Sequence, residues 1–142
     1  MNNPLAAVVS FVFLALALWH FWMALMPPSG GHAAVPSVDG KPLFVPSRRA
    51  TVAVGIVLIA CAALVAAAGE LFRLGISPVV LAWLSYALAL GLLARGIGEF
   101  KYVGLFKRVR GGRFATLDTF VYSPLCLLLA AGVALVAWRS GI

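Results

Sequence analysis

The side chains that could do chemistry in this chain are few, and they lie near the ends of long apolar segments. His20 stands between Trp19 and Trp22 close to the end of the first such segment. A histidine near a carboxylate can transfer protons, and an arginine can hold an oxoanion. The candidate ligand-binding residues are His20, Trp22, Arg95, Glu99, Tyr102, Asp118, Tyr122 and Ser123, of which His20, Glu99 and Asp118 are also the catalytic candidates.

The segments that must position these residues are predicted transmembrane helices. Of the 142 residues, 63% are hydrophobic and 11% are charged, which excludes a disordered chain, a disulfide scaffold and a free DNA-binding module. About 20 apolar residues cross the hydrocarbon layer as a helix, because lipid offers the backbone no hydrogen-bond partners. Four stretches qualify, approximately 5–26, 50–69, 76–94 and 117–138. The predicted fold is all-α, a single membrane domain over residues 1–142 built as a bundle of four transmembrane helices.

The basic residues predict the orientation of this bundle. Nine of the 11 lysines and arginines fall in the predicted loops 27–49 and 95–116, and only Arg73 and Arg139 lie on the other side. The positive-inside rule then places both loops in the cytoplasm and both termini outside, in a bacterial cytoplasmic (inner) membrane. So large a bias argues against dual insertion of the kind seen in small multidrug transporters.

Three helices bring polar residues to their cytoplasmic ends, where we expect a shared polar pocket. Arg95 and Glu99 are one helical turn apart, as are Asp118 and Tyr122. Pro124 should bend the fourth helix and free the carbonyl of the residue four positions earlier. Histidine at the depth of His20 should face protein rather than lipid.

Each of these groups also has a simpler interpretation. Arg95 and Glu99 could form only a surface ion pair, and Asp118 could merely cap the fourth helix. Trp19, Trp22 and Tyr102 could belong to an interfacial aromatic belt. The basic residues expected to bind anionic lipid headgroups are Arg48, Arg49, Lys107, Arg108, Arg110 and Arg113.

The first loop has its own predicted features. Pro27 and Pro28 should end the first helix, and Ser47 should cap the second. The segment 38–41 is predicted to form a tight turn within an ordered flap against the cytoplasmic face, although a flexible linker is the alternative.

No cofactor or metal is expected. His20 and His32 are the only histidines, and Cys61 and Cys126 lie in apolar segments where a thiol packs as a small hydrophobe. The expected partners are a bilayer with anionic lipids and a small-molecule or lipid ligand, with no nucleic acid. A homo-oligomer is left open.

One stretch of sequence resembles a known family. Arg95-Gly-x-Gly-Glu99-Phe-Lys-Tyr-Val-Gly-Leu-Phe-Lys-Arg, followed by Arg113-Phe-Ala-x-x-Asp118-Thr and Tyr122-Ser123-Pro124-Leu125-Cys126, is similar to the signature of the small bacterial membrane proteins catalogued as domain of unknown function 3995 (DUF3995). The end of the first helix, His20-Phe-Trp22, fits the same pattern. The resemblance implies a four-helix integral membrane protein and no particular activity.

These features favour one function over three others. The first hypothesis is binding of a small polar ligand or lipid headgroup in the cytoplasm-facing pocket, with Arg95 as the anion anchor. The second is a membrane-embedded enzyme that performs acid–base chemistry on a lipid-borne substrate, although whether the chain is an enzyme is uncertain because no catalytic motif is present. A dimeric transporter ranks third and a structural subunit fourth.

Overall fold

The computed structural model describes residues 3–26, 35–39 and 41–140, and four of its helices are long and apolar enough to cross a membrane. Helix α1 spans Pro4–Leu25, α2 spans Arg48–Ala68 and α3 spans Pro78–Ile97. The fourth span, Arg113–Arg139, is a continuous rod of α4 (Arg113–Leu117), a π-helical segment (Asp118–Tyr122) and α5 (Ser123–Arg139). The predicted all-α bundle of four membrane helices is therefore confirmed.

Local sequence accounts for several helix ends. The Ser47 side chain accepts a hydrogen bond from the N–H of Ala50 at 3.1 Å, so the predicted cap of α2 is confirmed. Helix α3 begins with Pro78, a residue suited to the first turn. Helix α1 ends at Leu25. Its end was predicted from Pro27 and Pro28, which lie outside the described residues.

Two helices extend further than predicted. Helix α3 passes the expected end at Ala94 and stops only before Gly98, whose φ of +89° leaves the helical region. The fourth span begins at Arg113, before the expected start at Leu117, with Gly112 at its N-cap position. Asp118 thus lies inside the span, and its interpretation as an N-cap is wrong.

The helices pack as two antiparallel pairs, α1 with α2 and α3 with α5, and the pairs are joined by contacts of α2 with α3 and of α1 with α5. Close approach depends on glycine, since a Cβ on Gly69 would overlap the Ala6 side chain and one on Gly132 would lie 2.8 Å from Val9. Ser140 Oγ lies 2.6 Å from the carbonyl oxygen of Ala68, which ties the end of α5 to the end of α2. We call this end of the bundle the terminal face.

Apolar side chains form both the interior and the outer surface of the bundle. Phe13, Val65 and Val133 are buried between helices, whereas Phe11 and Leu128 are 70% and 72% exposed on the outside. A soluble protein rarely presents so continuous an apolar surface, but hydrocarbon around the helices covers it without cost.

The basic face lies at the opposite end and carries the first loop and the third loop, residues 98–112. In the first loop, Ser37–Val38 pairs antiparallel with Lys41–Pro42, so that a short hairpin stands where the tight turn was predicted. Gly40 of that turn and residues 27–34, including His32, lie outside the described residues. The order of the loop as a whole stays a prediction.

Candidate functional site

The polar centre of the basic face is Asp118, which is fully buried in the π-helical segment. Pro124 has no N–H to donate, and the turn before it is widened so that the N–H of Ser123 donates to the carbonyl of Asp118, five residues earlier. Such widened turns are frequent at functional sites. The expectation was that Pro124 would free a carbonyl. The helix instead accommodates the proline by forming a π-helical segment before it.

Three donors converge on the Asp118 carboxylate. Nη2 of Arg95 donates to Oδ1 at 2.9 Å, and Oδ2 accepts the N–H of Gly104 at 2.7 Å and Nζ of Lys107 at 3.1 Å. We call Arg95, Gly104, Lys107, Asp118 and Thr119 the Asp118 cluster. A buried carboxylate is costly unless it is paired and hydrogen-bonded, and this one is both.

Lys107 belongs to this cluster, so its assignment to lipid headgroups is corrected. Its side chain is 1% exposed. Beyond Asp118, its Nζ donates to the carbonyl of Gly104 at 3.0 Å and to Oγ1 of Thr119 at 2.6 Å. An ammonium group has three hydrogens, and these three acceptors use all of them, which allows the charge to remain buried.

The path of the third loop brings Lys107 and Gly104 to Asp118. Gly98 and Gly104 have φ values of +89° and +95°. The backbone at one glycine passes so close to the backbone at the other that a Cβ on either would overlap backbone atoms. The N–H of Leu105 donates to the carbonyl of Gly96 at 3.0 Å, which closes the loop against the end of α3. Only glycine permits both the left-handed φ and this contact.

Arg95 is the accessible one of the two cations in the cluster. Its side chain is 37% exposed. Nη2 is paired with Asp118, whereas Nη1 is buried without a hydrogen-bond partner among the described residues. The cluster contains two cations, Arg95 and Lys107, and one carboxylate, and therefore carries an excess positive charge.

Glu99 and His20 make other contacts than those expected. Oε1 of Glu99 accepts the N–H of Tyr102 at 3.2 Å on the exposed loop, so Arg95 pairs with Asp118 and not with its neighbour one turn away. His20 Nδ1 is hydrogen-bonded to the Leu16 carbonyl of its own helix at 2.7 Å. In residues 3–26, 35–39 and 41–140, no hydrogen bond or ion pair joins His20 to the Asp118 cluster.

The aromatic candidates contact other aromatic rings or a basic side chain. Trp22 is half exposed, and its ring centroid lies 5.0 Å from that of Trp19. The Tyr122 ring packs at 6.0 Å from that of Phe114, and Lys101 Nζ lies 4.9 Å from the centroid of the Tyr102 ring.

Ser123 is the most deeply buried of the remaining candidates. It is fully buried, and its Oγ has no hydrogen-bond partner within the part of the chain that the structure describes. A buried hydroxyl without a partner costs free energy, so a polar group that reached this oxygen would be stabilised.

The shared polar pocket expected at the cytoplasmic ends of the helices stays a prediction. A crevice runs between the hairpin and the third loop, bounded by Ser37, Tyr102, Gly111 and Phe114, and it has no room for a water molecule. The other arginines expected at headgroups, Arg48, Arg49, Arg108, Arg110 and Arg113, are all exposed. Arg95 and these five exposed arginines therefore provide accessible positive charge on the basic face.

Sequence reasoning missed Gly104, Lys107 and Thr119. Lys107 is indistinguishable by type from the exposed Arg108 beside it. The available signal was the pair of glycines, Gly98 and Gly104, because two glycines in a short loop mark positions with left-handed φ or close backbone approach.

Comparison with known proteins gives a single assignment. The family model described as "Protein of unknown function (DUF3995)" matches residues 13–133, which is most of the chain. The chain therefore belongs to this family. No curated protein and no solved structure matches it.

Proposed function

We propose that this DUF3995 protein binds an oxoanion, the phosphate of an anionic lipid headgroup, at Arg95 on the basic face. The observation that carries the proposal is the imbalance of the Asp118 cluster, in which Nη1 of Arg95 is buried without a partner while two cations share one carboxylate. Since the Arg95 side chain is 37% exposed, a small shift of the guanidinium would bring Nη1 to a phosphate oxygen, which would supply the missing acceptor and the missing negative charge.

The chemistry of arginine favours this ligand. A guanidinium presents two edges, so one nitrogen can stay on Asp118 while another binds phosphate. Arg95 lies in the last turn of α3, at the end of a membrane-crossing helix, where headgroups are expected. The exposed arginines of the basic face add attraction for an anionic leaflet.

The location in the cell follows as part of the same proposal. Nine of the 11 basic residues belong to the two loops of the basic face or to the adjoining helix ends. The positive-inside rule then supports a bacterial cytoplasmic membrane with the basic face inside and both termini outside.

The alternative functions have less support. An acid–base enzyme would need Asp118 or Glu99 beside His20, but both Asp118 oxygens accept hydrogen bonds from cations or a backbone N–H, and His20 is bonded to its own helix. No contact among the described residues favours a transport pathway or a structural subunit.

The test uses a substitution that keeps the ion pair and removes the second nitrogen. Arg95→Lys retains a cation for Asp118 but lacks Nη1, and Arg108→Lys on the exposed loop is the matched control. The wild-type protein in nanodiscs should bind phosphatidylglycerol over phosphatidylcholine, as counted by native mass spectrometry. We expect Arg95→Lys to weaken this binding about tenfold, the equivalent of one charge-assisted hydrogen bond.

Two outcomes would count against the proposal. Equal binding of phosphatidylglycerol by Arg95→Lys, Arg108→Lys and the wild type would show that Arg95 does not hold the headgroup. Competition by inorganic phosphate at millimolar concentration would keep the oxoanion site but replace the lipid by a soluble anion.

A further inference from the structure

An open apolar groove runs between α2 and α3 on the outer surface of the bundle. These helices follow each other in sequence, yet each packs mainly on another partner, α2 on α1 and α3 on α5. The groove between them measures about 450 Å³. Its walls are apolar and include Val57, Cys61 and Leu64 of α2 and Leu81, Leu84 and Leu88 of α3.

One end of the groove lies at the terminal face. Leu74 and Ile76, from the loop between α2 and α3, line it there and are 47% and 44% exposed. The wall residues extend from the middle of each helix toward this loop. An occupant would therefore lie in the leaflet of the terminal face, across the membrane from Arg95.

The size of the groove distinguishes a linear chain from a helix. Spread over the roughly 15 Å of hydrocarbon in one leaflet, about 450 Å³ corresponds to a cross-section of about 30 Å². An α-helix with a diameter of about 10 Å needs a cross-section of about 80 Å². A single acyl chain therefore fills the groove, whereas a helix from a second copy would lie largely outside it.

The charges beside this end of the groove indicate the headgroup. Arg73 directly precedes Leu74, and Glu70 lies three residues before Arg73, after the end of α2. Both are exposed, and no ion pair joins them within the described ranges 3–26, 35–39 and 41–140. One cation and one carboxylate that do not neutralise each other match the phosphate and the ammonium of a zwitterionic headgroup.

We propose that the α2–α3 groove binds one acyl chain of a zwitterionic aminophospholipid, of the phosphatidylethanolamine type, with its phosphate at Arg73 and its ammonium at Glu70. This site differs from the proposed Arg95 site in its membrane face and in its headgroup charge. It stands if the Arg95 proposal fails.

The first experiment fills the groove. Ala60 lines it, and Ala53 lies on α2 outside the groove with an exposed side chain. After mild-detergent purification, native mass spectrometry should find one aminophospholipid on the wild type and on Ala53→Phe, and at least a fivefold lower bound fraction on Ala60→Phe. Equal retention by the two variants would overturn the site. A dimer dissociated by Ala60→Phe would also overturn it, in favour of a second copy.

The second experiment requires no substitution in the groove and so does not depend on how Ala60→Phe folds. A phosphatidylethanolamine with a diazirine in its acyl chain is reconstituted with the wild-type protein and photolysed. Label should concentrate on residues 57–64 and 81–88. Uniform label over the outward faces of α1 and α5 would overturn the proposal, because ordinary surrounding lipid gives that pattern.

The headgroup is tested by exchange. Arg73→Gln should lower the retention of phosphatidylethanolamine several-fold, and the wild type should retain it in preference to phosphatidylglycerol. Equal retention of the two lipids would overturn the assignment of the headgroup to Arg73 and Glu70.

Discussion

Nζ of Lys107 lies 3.1 Å from Oδ2 of Asp118, and neither side chain is reached by solvent. A lysine in a run of basic residues is thus withdrawn into the protein to neutralise a carboxylate from the fourth span. The pair fixes the third loop to the helices, and this arrangement holds Arg95 at the loop's edge.

Removing the carboxylate should destabilise the protein strongly. Asp118→Ala leaves Lys107 buried without its counter-charge, and breaking a buried pair in this way costs about 3–5 kcal/mol. Asp118→Asn should cost nearly as much, because an amide N–H₂ would replace one carboxylate oxygen and would face the donors that this oxygen accepts from. Unfolding in mixed micelles measures both, and near-wild-type stability of Asp118→Asn would show that the negative charge is not what holds the loop.

Lys107 and Arg108 should respond differently to the same substitution. Lys107→Met removes three hydrogen bonds, two of them buried, and should lower the midpoint of thermal unfolding by several degrees. Arg108→Met alters an exposed side chain and should leave the midpoint within about a degree, as expected for most surface changes. Equal midpoints for the two variants would contradict the burial of Lys107.

The two glycine positions Gly104 and Gly91 offer a matched pair. Gly104→Ala places a Cβ against the backbone of the α3 end at a φ of +95°, so it should destabilise the protein and release the third loop to proteolysis. Gly91 lies within α3 with open space around its Cβ position. Gly91→Ala should be neutral or stabilising by up to about 1 kcal/mol. Proteolysis at the same rate in both variants would contradict the close crossing of the loop.

The orientation can be read by chemical labelling. In a background with Cys61→Ala and Cys126→Ala, a cysteine is introduced either at Arg108 or at Arg73, one on each face of the bundle. A membrane-impermeant maleimide added to intact cells should label the Arg73→Cys variant alone. Labelling of the Arg108→Cys variant instead would invert the proposed topology.

Hydropathy predicts the helices of this chain well for a physical reason. Lipid offers no hydrogen-bond partners, so an apolar segment in the membrane must form its backbone hydrogen bonds within a helix. Length and composition are therefore enough to identify each span. The ends are harder, because they depend on single residues. Gly98 stops α3 through its φ value, and Pro124 is accommodated by a π-helical segment that a rule for ordinary helices does not anticipate.

The site is less predictable than the helices. Helix α1 is apolar on every side, so its sequence does not indicate which way His20 turns about the helix axis. Arg95 and Asp118 are recognisable as ionisable residues at helix ends, but their pairing depends on how α3 packs against the fourth span. The burial of Lys107 depends on the path of an irregular loop, which no periodicity describes.

The crossing of the chain at Gly98 and Gly104 makes the number of intervening residues a structural parameter. Adding or deleting one residue between these two glycines would change the path of the loop after Gly104. The Lys107 ammonium would then lie away from the carboxylate that it neutralises. Most surface loops absorb such insertions with little cost. In this one, we expect side-chain identity at exposed positions such as Lys101 to vary freely, while the length of the segment cannot change.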